Sequence, residues 1–136
     1  MKKVRMGALL MGLLLVLAGC GKQEAKEVEP SVLADTLNST LTFQDEMTSV
    51  DTAAVVRLYG IDEADMTAYK VYTSTGATAE EIAVFKAKDE EAADRIYQAM
   101  QTRVENQKTA YESYNPNEMK KLQDPFIQKQ GVMVVL

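Results

Sequence analysis

Between Asp89 and Tyr114 the apolar residues Ala93, Ile96, Tyr97, Met100, Val104, Tyr111 and Tyr114 recur at gaps of three, four and seven. That spacing puts them on one face of a long amphipathic helix, and whatever else the chain forms must cover that face. Gln107 interrupts the stripe. Asp89 is placed to cap the helix, and Glu90 and Glu91 favour the positive end of its dipole. Glu91 and Arg95, at i and i+4, read as a surface pair of small worth. Asn115-Pro116-Asn117-Glu118 is a fresh start signal: Asn115 as N-cap, Pro116 at the first helical position, and Glu118 reaching back as in a capping box. A short helix to Gln123 follows.

The stretches before the long helix carry a different period. Thr67–Ser74 is rich in Tyr, Val and Thr, TGAT at 75–78 is turn-like, and Glu81–Lys88 places Ala83, Phe85 and Ala87 on one parity. Lys86 and Lys88 point the other way, to water. The two runs read as an antiparallel hairpin. Upstream, Ser31 can cap a helix through about Leu41, and Phe43 and Met47 continue its apolar face after a break. Asp51 caps a helix over Thr52–Tyr59, with Val55, Val56 and Tyr59 inward and Gly60 as its stop. Downstream, Pro125 ends the last helix, and Phe126–Gln130 and Val132–Leu136 read as two strands about Gly131. The expected fold is α+β: an antiparallel sheet of about four strands, packed on one face by the long helix, with shorter N-terminal helices.

The first thirty residues set an address. Lys2, Lys3 and Arg5 precede an uncharged apolar run from Met6 to Ala18, which is the layout of a secretory signal. It falls short of the ~20 apolar residues that a bilayer-spanning helix needs. Leu17-Ala18-Gly19-Cys20 looks like a lipobox, with cleavage between Gly19 and Cys20 and lipidation on the cysteine. Diacylglycerol on the thiol and a further acyl chain on the amine would anchor the chain stably in a membrane. Residues 1–19 are therefore read as a lipoprotein signal peptide, 20–30 as lipidated Cys20 plus a polar tether closed by Pro30, and 31–136 as a single domain.

Composition removes several functions. Cys20 is the only cysteine and there is no histidine. With the thiol acylated, zinc clusters, Cys–His and Ser–His catalysis have no groups to work with. Neither a phosphate-binding G-x-x-x-x-G-K-[ST] loop nor G-x-G-x-x-G occurs. No metal site and no cofactor is expected. Losing residues 1–19 removes three cations and no acid, leaving 12 basic side chains against 20 acidic ones. Such a charge balance repels nucleic acid and anionic lipid, so lipid rather than charge must hold the protein to its membrane.

Taken in order, the lipobox, the stretch LYGIDEADMTAYKVYTSTGATAEEIAVFKAKD, a long helix ending ESYNP, a short helix and a K-x-G strand pair resemble a family of small Gram-positive, clostridial-type lipoproteins. Their outer domain is catalogued as a domain of unknown function. The likeness spans about Ser31 to Leu136. It implies one extracytoplasmic domain on the outer face of the cell membrane and gives no catalytic residues to carry over. In such domains the chain runs on past the last strand, whereas here it stops within VMVVL. Either that strand closes the domain with its carboxylate at a sheet edge, or a terminal element lies beyond it.

Three groups of side chains are candidates for a site. Asp62-Glu63-Ala64-Asp65 offers three carboxylates in four residues, but it lacks the ligand alternation of a calcium loop and reads as a solvated turn. Glu81 shares the parity of Ala83 and Phe85 and so points to the rim of the core, as an acid or ligand contact or as the partner of Arg57, Arg95 or Arg103. Tyr69 and Tyr72 lie on opposite strand faces, so one should face outward for recognition of a protein or sugar surface, or both should serve as core-edge packing. Asn38-Ser39-Thr40, a sequon in form, reads as an ordinary helix end. The function these features favour is a non-enzymatic binding module for an envelope protein, wall component or ligand. The alternative is an envelope hydrolase pairing Glu81 with Asp62 or Asp65 at the ~5–9.5 Å separation such chemistry needs.

Overall fold

The computed structural model describes residues 27–136. The expected signal peptide, the lipobox-like stretch with Gly19 and Cys20, and most of the expected tether lie outside the described residues. The fold is α+β. Its elements in chain order are α1 (Pro30–Thr40), β1 (Thr48–Ser49), α2 (Thr52–Tyr59), β2 (Met66–Thr73), β3 (Glu81–Ala87), α3 (Glu90–Tyr114), α4 (Met119–Gln123), β4 (Gln128–Gln130) and β5 (Met133–Val135). The sheet is antiparallel throughout, in the order β1-β2-β3-β5-β4. The expected hairpin is β2–β3, in register from Met66 opposite Ala87 to Thr73 opposite Glu81. The fifth strand, β1, is only two exposed residues long and has no periodicity to reveal it.

The caps form where side-chain chemistry dictates. Asp51 accepts from the Ala54 amide at 2.9 Å, and Asp89 accepts from the Ala92 amide at 2.7 Å. Gly60 ends α2 at φ +65°, a conformation that disfavours any Cβ. At α1 the expected cap is corrected. Pro30, not Ser31, opens the helix: its missing N–H is no loss at the first position, and its ring is buried. Pro30 thus belongs to the packed domain rather than to the tether.

α3 lies on one face of the sheet, with Ile96 and Met100 fully buried against Phe85, Val71, Ala83 and Val134 beside α2. The stripe fails at its end, since Tyr114 is 69% exposed. The opposite face is covered too. Ala34 of α1 packs on Ile82 and Val84, joined by Leu33, Leu37, Phe43 and Met47. This explains why Ile82 through Phe85 are all buried. A central strand roofed on both sides reads as a continuous apolar run, not an alternation. β5 is likewise interior, between β3 and β4, so the edges of the sheet are β1 and β4.

Candidate functional site

At the end of the sheet where β3 begins and β5 stops, the two layers part around a cleft of about 550 Å³. Leu37 of α1 and Leu41, just past its end, line one side, Val104 and Leu122 the other, and Ile82 and Leu136 the floor between them. That volume lies within the usual ~300–1,000 Å³ of ligand sites, and the walls are predominantly aliphatic. Two large apolar side chains stand exposed at the rim: Leu41 (51%) and Phe126 (65%).

Glu81 supplies the polar end of this cleft. As the first residue of β3, its odd parity turns the carboxylate toward α3, where Arg103 meets it. Arg103 Nη2 lies 2.7 Å from Oε2 and Nε 3.1 Å from Oε1, a two-point ion pair. The side chain of Glu81 is only 4% exposed. The Tyr59 hydroxyl also donates to Glu81, and the Arg103 guanidinium lies 5.7 Å from the Tyr59 ring centre. Burial, followed by the Glu81 charge and the hydrogen bond to it, pushes the Tyr59 phenol well above its ordinary value. Burial works against the Arg103 charge, but Glu81 outweighs it and holds the guanidinium above its ordinary value. The Gln107 amide nitrogen sits 3.4 Å from Oε2, too long to saturate that oxygen. Of the three arginines weighed for Glu81, Arg103 is its partner.

A second polar cluster adjoins the cleft, with Lys121 among the residues that line it. Glu80 accepts from the Gln44 amide at 3.0 Å, the Asp45 amide at 3.1 Å, the Thr78 hydroxyl at 3.0 Å and Lys121 at 3.2 Å. Burial alone would raise the Glu80 carboxyl. The Gln44 amide, with Lys121 and Thr78, more than offsets it and leaves the group below its ordinary value. Lys121 also reaches Glu118 at 2.9 Å, and Glu118 accepts from the Ala79 amide at 2.9 Å. Glu118 is therefore not a capping-box acid reaching back to Asn115; it is buried and ties the 74–80 loop to α4.

Asp65 corrects the reading of residues 62–65 as a solvated turn. Asp62 does cap a 3-10 turn, accepting from the Ala64 amide. Asp65, however, is buried, and it binds Arg95 at 2.7 and 2.8 Å and Lys88 at 3.0 Å. Arg95 thus pairs across to Asp65 rather than along its own helix with Glu91.

Tyr69 and Tyr72 lie on opposite faces as expected, and both are half-buried. Tyr69 stacks on Phe85 at 6.3 Å and shares a 2.7 Å hydrogen bond with Thr52; Tyr72 donates to Asp35 of α1 at 2.6 Å. The second helical layer, which the sequence reading did not anticipate, occupies the face one of them was to present outward. Glu81, Tyr69 and Tyr72 therefore do not form one site. Nor does Glu81 meet Asp62 or Asp65. The Lys88 amide bonds the Asp65 carbonyl at the far end of β3, seven residues from Glu81, about 23 Å along a strand.

Among the described residues no group of three or more acidic, histidine or cysteine side chains is arranged to hold a metal ion. Lys121, Glu80, Glu118 and the rim residues Leu41 and Phe126 were not anticipated as parts of a site. For Leu41 and Phe126 the one sequence signal is a large apolar residue beside a helix end, after Thr40 and after Pro125.

An antiparallel sheet roofed by a long helix on one face and a short one on the other, open at one end, defines the class: a small α+β domain with an apolar end cleft. The chain belongs to the family described as Domain of unknown function (DUF4358), which it matches over residues 39–136. No curated protein and no solved structure matches it.

Proposed function

We propose that this protein is a lipoprotein anchored through Cys20 on the extracytoplasmic face of the cell membrane, and that its domain is a non-enzymatic binding module for an envelope partner. The signal-like start and the lipobox support the address. The observation that carries the binding role is the end cleft: aliphatic walls, two exposed apolar side chains at its rim, and a Glu81 carboxylate already neutralised by Arg103. A carboxylate held in a two-point ion pair is suited to shaping a site rather than to transferring protons. Binding there would gain from removing Leu41 and Phe126 from water, at about 25 cal/mol per Å² of apolar surface.

Photo-crosslinking in intact cells tests this reading. A crosslinker replacing Leu41 or Phe126 should yield a discrete adduct, and one replacing Gln101, exposed on α3, should not. Equal labelling from all three positions, or none from the rim, contradicts it.

A further inference from the structure

β1 parts from β2 long before β2 begins to pair with anything else on that side. Thr48 lies opposite Thr73 and Ser49 opposite Tyr72, and the Val50 amide donates to the Val71 carbonyl at 3.1 Å. At Asp51 the chain turns into α2, which packs Tyr59 on Phe85 on the α3 side of the sheet. The gap beside the first half of β2 is therefore made by the course of the chain from Val50 to Thr52, well inside the described residues. Among those residues no hydrogen bond reaches the main chain of Tyr69 from that side.

The ladder orients what the edge presents. The Ser74 amide donates to the Glu80 carbonyl, so the even residues from Tyr72 down to Ala68 turn their N–H and C=O toward β3. The Val71 carbonyl accepts from Val50, so the odd residues turn theirs away. Tyr69 thus holds out a donor and an acceptor at strand spacing. They open onto a second cleft, of about 340 Å³, lined by Thr52, Glu63, Met66, Thr67, Ala68 and Tyr69. Thr52 closes one end, where its hydroxyl meets that of Tyr69 at 2.7 Å. Glu63, in the 3-10 turn leading into Met66, stands at the other. The irregularity between Met66 and Ala68 ends the regular edge there, so the slot takes about three residues.

Charge selects the occupant. Glu63 is the one charged residue lining this cleft, and it is exposed. Exposed Asp51 and Asp62 adjoin Thr52 and Glu63 in the chain. Lys70, of even parity, lies on the other face of the sheet over the Tyr72 ring. A second copy would add the same acids and be repelled. We infer that the first half of β2 takes a short extended segment of a partner protein, antiparallel to β2, with a lysine or arginine set toward Glu63. Main chain satisfies the donor and acceptor of Tyr69, and the cation meets the acid. This surface lies toward the Met66 end of the β2–β3 hairpin, away from Glu81 and the end cleft.

The full chain in phosphatidylcholine nanodiscs, whose neutral surface does not attract cations, is mixed with an end-blocked peptide. The peptide has about five residues, Val and Thr with one Lys toward its C-terminal end. At about 1 mM it should slow hydrogen exchange at the Tyr69 amide about tenfold and leave the Lys70 amide, already within the β2–β3 ladder, unchanged. An N-methyl group on the residue facing Tyr69 should abolish the effect. Glu63→Gln should weaken binding about threefold, whereas a peptide with norleucine in place of Lys should bind both forms alike. Binding without slowing at Tyr69, equal affinity of Glu63→Gln and the parent for the Lys peptide, or no binding overturns the inference. A Tyr69 amide as slow as that of Lys70 before peptide is added overturns it too, because the edge is then already covered. Slowing that grows with protein concentration assigns the edge to a second copy and contradicts the basic partner. Rim crosslinking at Leu41 and Phe126 reads the end cleft separately, so either result stands without the other.

Discussion

Glu81 and Arg103 join the start of β3 to the middle of α3 through two parallel hydrogen bonds of 3.1 and 2.7 Å, with Tyr59 donating to the same carboxylate. Both side chains are largely withdrawn from water, at 4% and 18% exposure. Removing one partner leaves the other charge buried and uncompensated. Arg103→Met should therefore destabilise the domain by about 3 kcal/mol. The double variant Glu81→Gln/Arg103→Met removes both charges and keeps an acceptor for Tyr59, so it should recover to within about 1 kcal/mol of the parent. Denaturant midpoints of the two variants check this. Equal losses in both would show that the pair's charge balance is not what holds α3 to the sheet.

Asp65 predicts the acid behaviour. Hydrogen bonds from Arg95, then from Lys88, hold its carboxyl far below the usual carboxylate range. A folded-state value depressed below the unfolded one of about 3.9 means that the stabilisation is complete above that pH and is lost as pH falls through the lower folded value. Stability should decline from about pH 4 downward, and Asp65→Asn should flatten that decline while leaving the pH 6–8 region level. Thermal unfolding from pH 7 to 2 measures it. An unchanged acid limb in the variant would assign the loss to other carboxylates.

Gly60 carries the turn from α2 toward β2 at φ +65°, and a Cβ built there meets no atom within 4 Å. The cost of a side chain is therefore conformational rather than steric. Gly60→Ala should lose about 1 kcal/mol, and Gly60→Asn less, because Asn tolerates the left-handed region. Urea denaturation distinguishes them. A loss well above that size for Ala would reveal a packing contact that the turn does not have.

Much of this fold was legible because the signals were local. Asp51, Gly60 and Asp89 act within a turn of their own position, and the stripe from Ala93 to Val104 needed only the helical period. What the sequence concealed was non-local. Ala34 is a small residue whose role, letting α1 lie close on Ile82 and Val84, depends on a strand nearly fifty positions away. The same second layer explains why Tyr72 meets Asp35 instead of solvent. Asp65 and Arg95 are thirty residues apart, so the shorter-range pairing of Arg95 with Glu91 was the natural expectation. At the site, Glu81 stood out through its parity, and its three candidate arginines included the right one. The cleft around it did not, because α1, β3, α3, α4 and β5 all contribute walls to it. Lys121 reaching Glu80 was equally hidden, since the two lie 41 residues apart.

The proposed membrane anchor rests on lipidation of Cys20. Metabolic labelling with a fatty-acid analogue, followed by fractionation of intact cells, measures it. The parent chain should carry the label and sediment with the membrane, and Cys20→Ala should carry none and leave the membrane fraction or remain as uncleaved precursor. Label persisting in Cys20→Ala, or a parent chain that is never labelled, would contradict the lipid anchor and with it the outward-facing cleft.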